Sequence, residues 1–226
     1  MSMRATWDAL AGAETRVYVG DPARAASELE SLFGRLGADP RSGLCVEVGC
    51  GPGRMTAELA ERFDRVVALD ISPAMIERAR GAVEAENVDF RVISGLRLDG
   101  VDDGVADVVV CYLVLQHLPR RSLVQGFLRE FARVLKGSGE AFVQLPVLER
   151  GIPPRAWRLL RTVSVPLVYR LLPDPVRSPA LRGVRLTESE LQSSLARAHL
   201  TLRARDEGPD APYRYSRDVF LRLARA

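Results

Sequence analysis

Leu44-Cys45-Val46-Glu47-Val48-Gly49-Cys50-Gly51-Pro52-Gly53-Arg54 is an apolar run closed by an acid, with glycine at every second position after it. Glycine reaches backbone dihedrals closed to other residues, and it carries no side chain to hold a ligand away. A strand feeding such a loop, with a helix after it, is where an open α/β sheet binds a nucleotide-like ligand. The stretch therefore predicts a cofactor site. Dinucleotide sites space their glycines G-x-G-x-x-G and seat a pyrophosphate at the helix N-terminus. Here the spacing is G-x-G-x-G, and Glu47 lies two residues ahead of the first glycine. An acid in that place repels a pyrophosphate and suits an ammonium group.

Further along, Arg65-Val66-Val67-Ala68-Leu69-Asp70 reads as a second strand ending in a carboxylate. An acid there accepts hydrogen bonds from both hydroxyls of a ribose. Ser72-Pro73 opens the next helix, serine as N-cap and proline at the first helical position. Val88 to Ile93 reads as strand three, followed by Ser94-Gly95-Leu96-Arg97-Leu98. Asp107 to Cys111 reads as strand four and runs into Tyr112-Leu113-Val114-Leu115-Gln116-His117-Leu118-Pro119.

Val46 to Gly53 closely resembles the first motif of the class I S-adenosylmethionine-dependent methyltransferases, and Leu69 to Met75 resembles their second. The resemblance implies an α/β fold: a doubly wound, seven-stranded, mostly parallel sheet of strand order 3-2-1-4-5-7-6. It implies S-adenosyl-L-methionine as cofactor and S-adenosyl-L-homocysteine as product. It carries cofactor binding onto Glu47, Gly49, Cys50, Gly51, Gly53, Asp70, Cys111 and Tyr112, with Ile71 and Met75 flanking the adenine. Many members bond the adenine amino group with an aspartate after strand three. This chain has no acid there before Asp99 and is similar to a subgroup with Asn-Gly-x-x-Leu, Ser94 replacing the asparagine. Backbone groups near Gly95 and Leu96 are then the expected contacts, while Ser94 stays open between ligand and turn former. Amino-methylases of nucleic-acid bases carry (Asp/Asn)-Pro-Pro-aromatic after strand four to hold a flipped base. Cys111-Tyr112-Leu113-Val114 departs from that, so no DNA partner is expected. The Val-Leu-Gln-His-Leu-Pro ending resembles the small-molecule branch.

The 226 residues suit one domain with a sizeable core. The net charge of +3 implies no general polyanion partner, and Lys136 is the only lysine among 32 basic residues, a bias that looks like codon usage. The first residues lack the apolar core of a signal peptide, and no apolar run reaches the roughly 18 residues of a membrane span. Cys45, Cys50 and Cys111 have no C-x-x-C spacing and read as packed, reduced thiols of a cytoplasmic protein, with no metal site expected.

Residues 120–135 place Leu123, Phe127, Leu128, Phe131 and Leu135 on one helical face, with Gly137 expected to close the helix. Glu140 to Leu145 predicts strand five. Thr187-Glu188-Ser189-Glu190 is a capping box opening a helix to about Arg197. Leu200 to Arg205 and Tyr213 to Arg222 supply the last two strands, antiparallel by the resemblance, and His199 reads as a structural residue starting strand six. Residues 1–43 form an N-terminal helical cap, helical over Ala23 to Leu36. Trp7, Arg16, Val17 and Tyr18 match a segment that closes over the cofactor in related enzymes; a packed helix with a loose end is the alternative.

Residues 146–185 read as a helical lid insertion, with eight arginines against Asp174 between residues 150 and 185. Three uses stand open: covering an apolar or anionic small substrate, a surface helix pair or dimer contact, or touching a membrane surface. A monomer or a homodimer fits equally. For an oxygen acceptor, His117 is the candidate base, because it follows strand four at the carboxyl edge of the sheet and imidazole titrates near neutrality. Capping a loop or lining the pocket is the competing role for it. Transfer of methyl to the oxygen or nitrogen of a small-molecule substrate is the expected reaction. The alternatives are a methylase of lipid, quinone or RNA, or a non-catalytic module that binds S-adenosylmethionine.

Overall fold

The structure, a computed structural model, describes residues 3–12, 21–148, 183–207 and 216–226. Helix α1 (Met3–Ala11) precedes a short 3-10 turn (Pro22–Arg24) and α2 (Ala25–Arg35). Strand β1 (Leu44–Val48) then leads through the glycine loop into α3 (Thr56–Arg62). Next come β2 (Arg65–Asp70), α4 (Pro73–Ala82), β3 (Val88–Val92), β4 (Ala106–Cys111) and the 3-10 turn Leu115–His117. The chain continues with α5 (Arg121–Val134), β5 (Leu135–Leu148), α6 (Glu188–Arg197), β6 (Leu200–Glu207) and β7 (Ser216–Arg225).

The seven strands form one sheet in the order β3-β2-β1-β4-β5-β7-β6. β1 pairs in parallel with β2 and β4, β2 with β3, and β4 with β5, whereas β7 runs antiparallel to both β5 and β6. Successive side chains of a strand point to opposite faces. Val109 and Cys111 accordingly enter the core under α5 and α6, while Val108 and Val110 enter the core under α2, α3 and α4. Phe33 of α2 meets Phe142 of β5 edge-on at 4.8 Å. A sheet covered on both faces reads as continuous apolar runs, which is why Val66 to Leu69 and Val108 to Cys111 are buried throughout.

The local signals act as their chemistry dictates. The Ser72 hydroxyl accepts from the Met75 backbone N–H at 3.1 Å, with Pro73 at the first helical position. Thr187 and Glu190 form the reciprocal capping box of α6. Several boundaries differ from the expectation. Gly137 does not close α5: the helix ends at Val134, and Leu135 caps it by donating its N–H to Phe131. The reason lies in the sheet, because Leu135 already pairs with Ala106, so β5 starts there and shifts register past an irregularity at Ala106/Val108. Lys136, two residues after the helix, donates to both Asp107 oxygens at 2.8 and 2.7 Å and fixes the junction. Val124 is fully buried on α5 where Leu123 packs only in part. His199 does not start β6. It sits just before the strand with a left-handed φ of 54° and ends the turn after α6. Arg16, Val17, Tyr18, Tyr213 and nearly all of the lid insertion lie outside the described residues.

Candidate functional site

A cavity of about 1000 Å³, measured out to its mouth, opens at the carboxyl ends of β1, β2 and β4. The strand order reverses beside β1, since β2 lies on one side of it and β4 on the other. Such a switch point leaves a crevice above the strand ends.

The β1 side is made by the glycine loop. Gly49 and Cys50 donate their N–H groups to the Leu69 carbonyl at 2.7 and 3.0 Å, which ties the loop to β2. Gly49 has φ 75°, and a Cβ on it would lie 2.3 Å from Val114 Cγ2, so glycine is required twice over. Gly53 has a different task. Its Cβ would meet Val83 Cγ2 at 2.7 Å and Ala79 Cα at 3.3 Å, so it lets the loop pack on α4 and does not line the cavity.

Glu47 lines the cavity although it is 6% exposed. Thr56 Oγ1 donates to its carboxyl at 2.6 Å. Burial pushes its pKa up to about 7, opposed by the Thr56 hydrogen bond and assisted by the negative charge of Asp70. Arg54, also in the lining, is held by Glu28 at 2.7 Å and lies 6.0 Å from the Tyr112 ring centre. At the end of β2, Asp70 accepts from Gly51 N–H at 2.9 Å and from Ser72 N–H at 2.8 Å. Burial raises its pKa against those two bonds. Each carboxylate oxygen retains a lone pair for another donor.

Ile71, Met75, Ile93 and Gly95 line the β2–β3 flank. A Cβ on Gly95, which has φ 81°, would lie 2.6 Å from Ile71 Cδ1. Ser94 and Leu96 are not in the lining. Asp99 accepts the Ser94 N–H at 2.7 Å, Ser94 Oγ accepts from Leu96 N–H at 3.3 Å, and Leu96 is 64% exposed. Ser94 is thus engaged in its own turn. Cys111 also stays out of the lining, because its side chain points into the core under α5; burial drives its thiol pKa far up. Glu47, Gly49, Cys50, Gly51, Asp70, Ile71, Met75, Gly95, Tyr112 and His117 are brought together, whereas Gly53, Ser94, Leu96 and Cys111 are not.

Among the described residues, the β4 side is apolar apart from Tyr112 and His117. Met3 and Trp7 of α1 reach it together with Leu113, Val114, Leu118 and Phe127. The Trp7 and His117 rings meet edge to face at 5.1 Å. α1 is held over α4, with Leu10, Ala11 and Met75 forming a small core, Ser72 Oγ donating to Asp8 at 2.5 Å and Arg4 donating to the Ile93 carbonyl at 3.1 Å. Met3, Arg54 and Phe127 also line the cavity, although no motif marks them. Arg54 lies inside the quoted glycine stretch, and an arginine beside a buried acid was the available signal; Met3 and Phe127 gave none beyond apolarity.

The chemistry of these groups distinguishes ligands. Two buried carboxylates at one cavity disfavour a pyrophosphate. They suit a ligand with a cationic end and a vicinal diol, and Arg54 beside Glu47 also matches an amino-acid zwitterion. S-adenosylmethionine has that set of groups. Residues 46–143 match the model of the "Methyltransferase domain" family. A protein of Xanthomonas oryzae pv. oryzae (strain PXO99A) named ubiquinone biosynthesis O-methyltransferase is 32% identical over 194 residues, spanning 82% of this chain and 75% of that protein. The chain belongs to the class I S-adenosylmethionine-dependent methyltransferases. Its methyl donor is S-adenosylmethionine.

Solved structures of other methyltransferases share the fold. A Leishmania major S-adenosylmethionine-dependent methyltransferase superposes with TM-score 0.68 at 11% identity, covering 97% of this chain and 80% of that one. Geranyl diphosphate C-methyltransferase from Streptomyces coelicolor A3(2), crystallised with Mg2+, geranyl diphosphate and S-adenosyl-L-homocysteine, gives 0.64 at 15% identity over 89% of this chain and 79% of that one. Among the described residues of this methyltransferase there is no metal-binding cluster, and no helix is long and apolar enough to cross a membrane. Its three cysteines are free and buried.

Proposed function

We propose that this enzyme O-methylates a small hydroxylated acceptor with a flat apolar body, such as a phenol or hydroxyquinone. The observation that carries the reading is His117, set against Trp7 in an apolar stretch of the cavity wall at the end of β4. Asp70 accepts hydrogen bonds from the ribose hydroxyls, Ile71 and Met75 flank the adenine, and the backbone at Gly95 borders it. Glu47 and Arg54 face the ammonium and carboxylate of the methionyl end. When bound, the cofactor supplies an electrophilic methyl group on a sulfonium.

The protein's own work is alignment, exclusion of water and removal of one proton. Orientation of reacting groups contributes about 7 to 11 kcal/mol in favourable cases. Met3 and Trp7 give α1 the role of a cap over the acceptor. His117 accepts the hydroxyl proton as the acceptor oxygen takes the methyl group, and a positioned base of this kind contributes roughly 10²–10⁴-fold. The Xanthomonas relative named as an O-methyltransferase supports oxygen over nitrogen.

The test is methyl transfer from labelled S-adenosylmethionine to matched catechols, hydroxyquinones and aryl amines. Methylation of the hydroxylated compounds, with the label on oxygen, is the expected result. Label on nitrogen, or on the amines alone, would overturn the reading.

A further inference from the structure

His117 belongs to a turn whose geometry depends on its neighbour. The Gln116 amide nitrogen, Nε2, lies 3.3 Å from the Leu113 carbonyl oxygen and 3.3 Å from His117 Nε2. A carbonyl only accepts and an amide NH2 only donates, so Leu113 decides which way the Gln116 amide faces. His117 Nε2 then meets a donor. It must present a lone pair, which puts the proton of the neutral ring on Nδ1.

The backbone beneath this contact is constrained from three sides. Leu113 has φ 59°, a conformation that costs a non-glycine residue about 1–3 kcal/mol and persists where its surroundings over-determine it. Its N–H donates to Oε1 of the buried Gln144 at 3.2 Å. Arg185 Nη1 donates to the Gln116 carbonyl at 3.2 Å, and Val184 N–H donates to the Leu118 carbonyl at 2.8 Å. Gly183 lies so close that a Cβ on it would be 1.6 Å from the Gln116 oxygen, 2.3 Å from its carbonyl carbon and 2.7 Å from His117 N. These neighbours are backbone atoms, so a side chain at position 183 would have to displace the turn itself.

We propose that Gln116, gripped by Gly183 and Arg185, is a positioning residue that holds His117 in the tautomer with its proton on Nδ1 and its Nε2 lone pair turned to the Gln116 amide. Its catalytic consequence rests on the O-methylation reading above. An acceptor hydroxyl replaces the Gln116 amide at Nε2, while Gln116 keeps its bond to the Leu113 carbonyl. The hydroxyl O–H bond then breaks as the Nε2–H bond forms, leaving an imidazolium with both nitrogens protonated. Residues 183–185, the end of the 146–185 connection, thereby set the chemistry of a ring far from them in the chain.

Imidazole nitrogen NMR tests this on the intact 226-residue chain without any acceptor. The sequence has two histidines, His117 and His199, so His117→Ala assigns the signals. At a pH where the ring is neutral, His117 should show a lone-pair shift at Nε2 and a protonated shift at Nδ1. Gln116→Met, which keeps the volume and removes the donor, should move the ring toward the Nε2–H form usual for solvated imidazole; Gly183→Ala should mix the two forms. Turnover should fall about tenfold or more in both variants, inside the range a positioned base supplies, with S-adenosylhomocysteine affinity unchanged. A protonated Nε2 in the unmodified protein, or a spectrum unaltered by Gln116→Met, overturns the proposal. If the tautomer shifts as expected while turnover on hydroxylated acceptors holds, positioning stands and the base reading is what fails.

Discussion

The two sides of the cavity are built in different ways. The side over β1 and β2 is local: Glu47, the glycine loop and Asp70 come from one strand–loop–helix–strand unit, and most of its fixed bonds are backbone to backbone or backbone to carboxylate. The side over β4 is assembled from distant parts of the chain. Met3 and Trp7 come from α1, His117 from the turn after β4, Phe127 from α5, and the turn is clamped by Gly183 and Arg185. A contiguous unit can serve a cofactor that does not change, whereas a composite wall can change with the acceptor. The difference predicts that substitutions on the two sides separate cofactor affinity from turnover.

The largest expected effect is on the β4 side. His117→Ala should lower kcat by roughly 10²–10⁴-fold, the contribution of a positioned base, and equilibrium dialysis should find S-adenosylhomocysteine affinity unaltered. On the other side, Asp70→Ala removes a charged acceptor of about 1.5–3 kcal/mol per hydrogen bond. Calorimetry should show cofactor binding weakened by roughly 10–100-fold, with the Gly51 and Ser72 N–H groups left without their partner.

Gly53→Ala sharpens the comparison, because this glycine belongs to the loop but not to the cavity. With φ 87° and Val83 Cγ2 at 2.7 Å, the variant should lose about 1–3 kcal/mol of stability in chemical denaturation. Cofactor affinity of the folded fraction should change less than in Asp70→Ala.

The smallest effect is the pH response of Glu47. Its carboxyl is raised from 4.5 to about 7 in the folded protein, so the folded state holds a proton that the unfolded chain releases. That contribution to stability is fully present below about pH 4.5 and is lost as pH rises through 7. The apo protein's unfolding midpoint should fall over this window, and Glu47→Gln should flatten the decline. A cationic ligand favours the ionised carboxylate, so cofactor binding should release a proton in the same window, visible as a dependence of calorimetric heat on buffer ionisation enthalpy.

The contrast between the two sides also explains what could be read from the chain. Glu47, Gly49 and Asp70 were legible because strand, bend and acid follow one another and each residue type has one plausible task there. Strand order followed from the resemblance those motifs carry. Cys111 stays out of the lining because residues adjacent along a strand point to opposite faces, and its neighbours Val110 and Tyr112 are the ones that reach the cavity. Gly53 looked like its neighbours, yet its requirement comes from α4, which no spacing announces. Gly137 failed as a helix stop because pairing of Leu135 with Ala106 begins β5 before the glycine is reached. Met3, Phe127 and the Gly183 clamp could not be inferred from local pattern, since each acts through a tertiary contact.

The most direct measurement is a paired one: S-adenosylhomocysteine dissociation constant and single-turnover rate for Asp70→Ala and His117→Ala, with the same hydroxylated acceptor. Asp70→Ala should lose affinity and His117→Ala should lose rate while binding within about twofold of the parent, the spread of an uncoupled site. Parallel losses of affinity and rate in both variants would contradict a cavity divided between a cofactor side and an acceptor side.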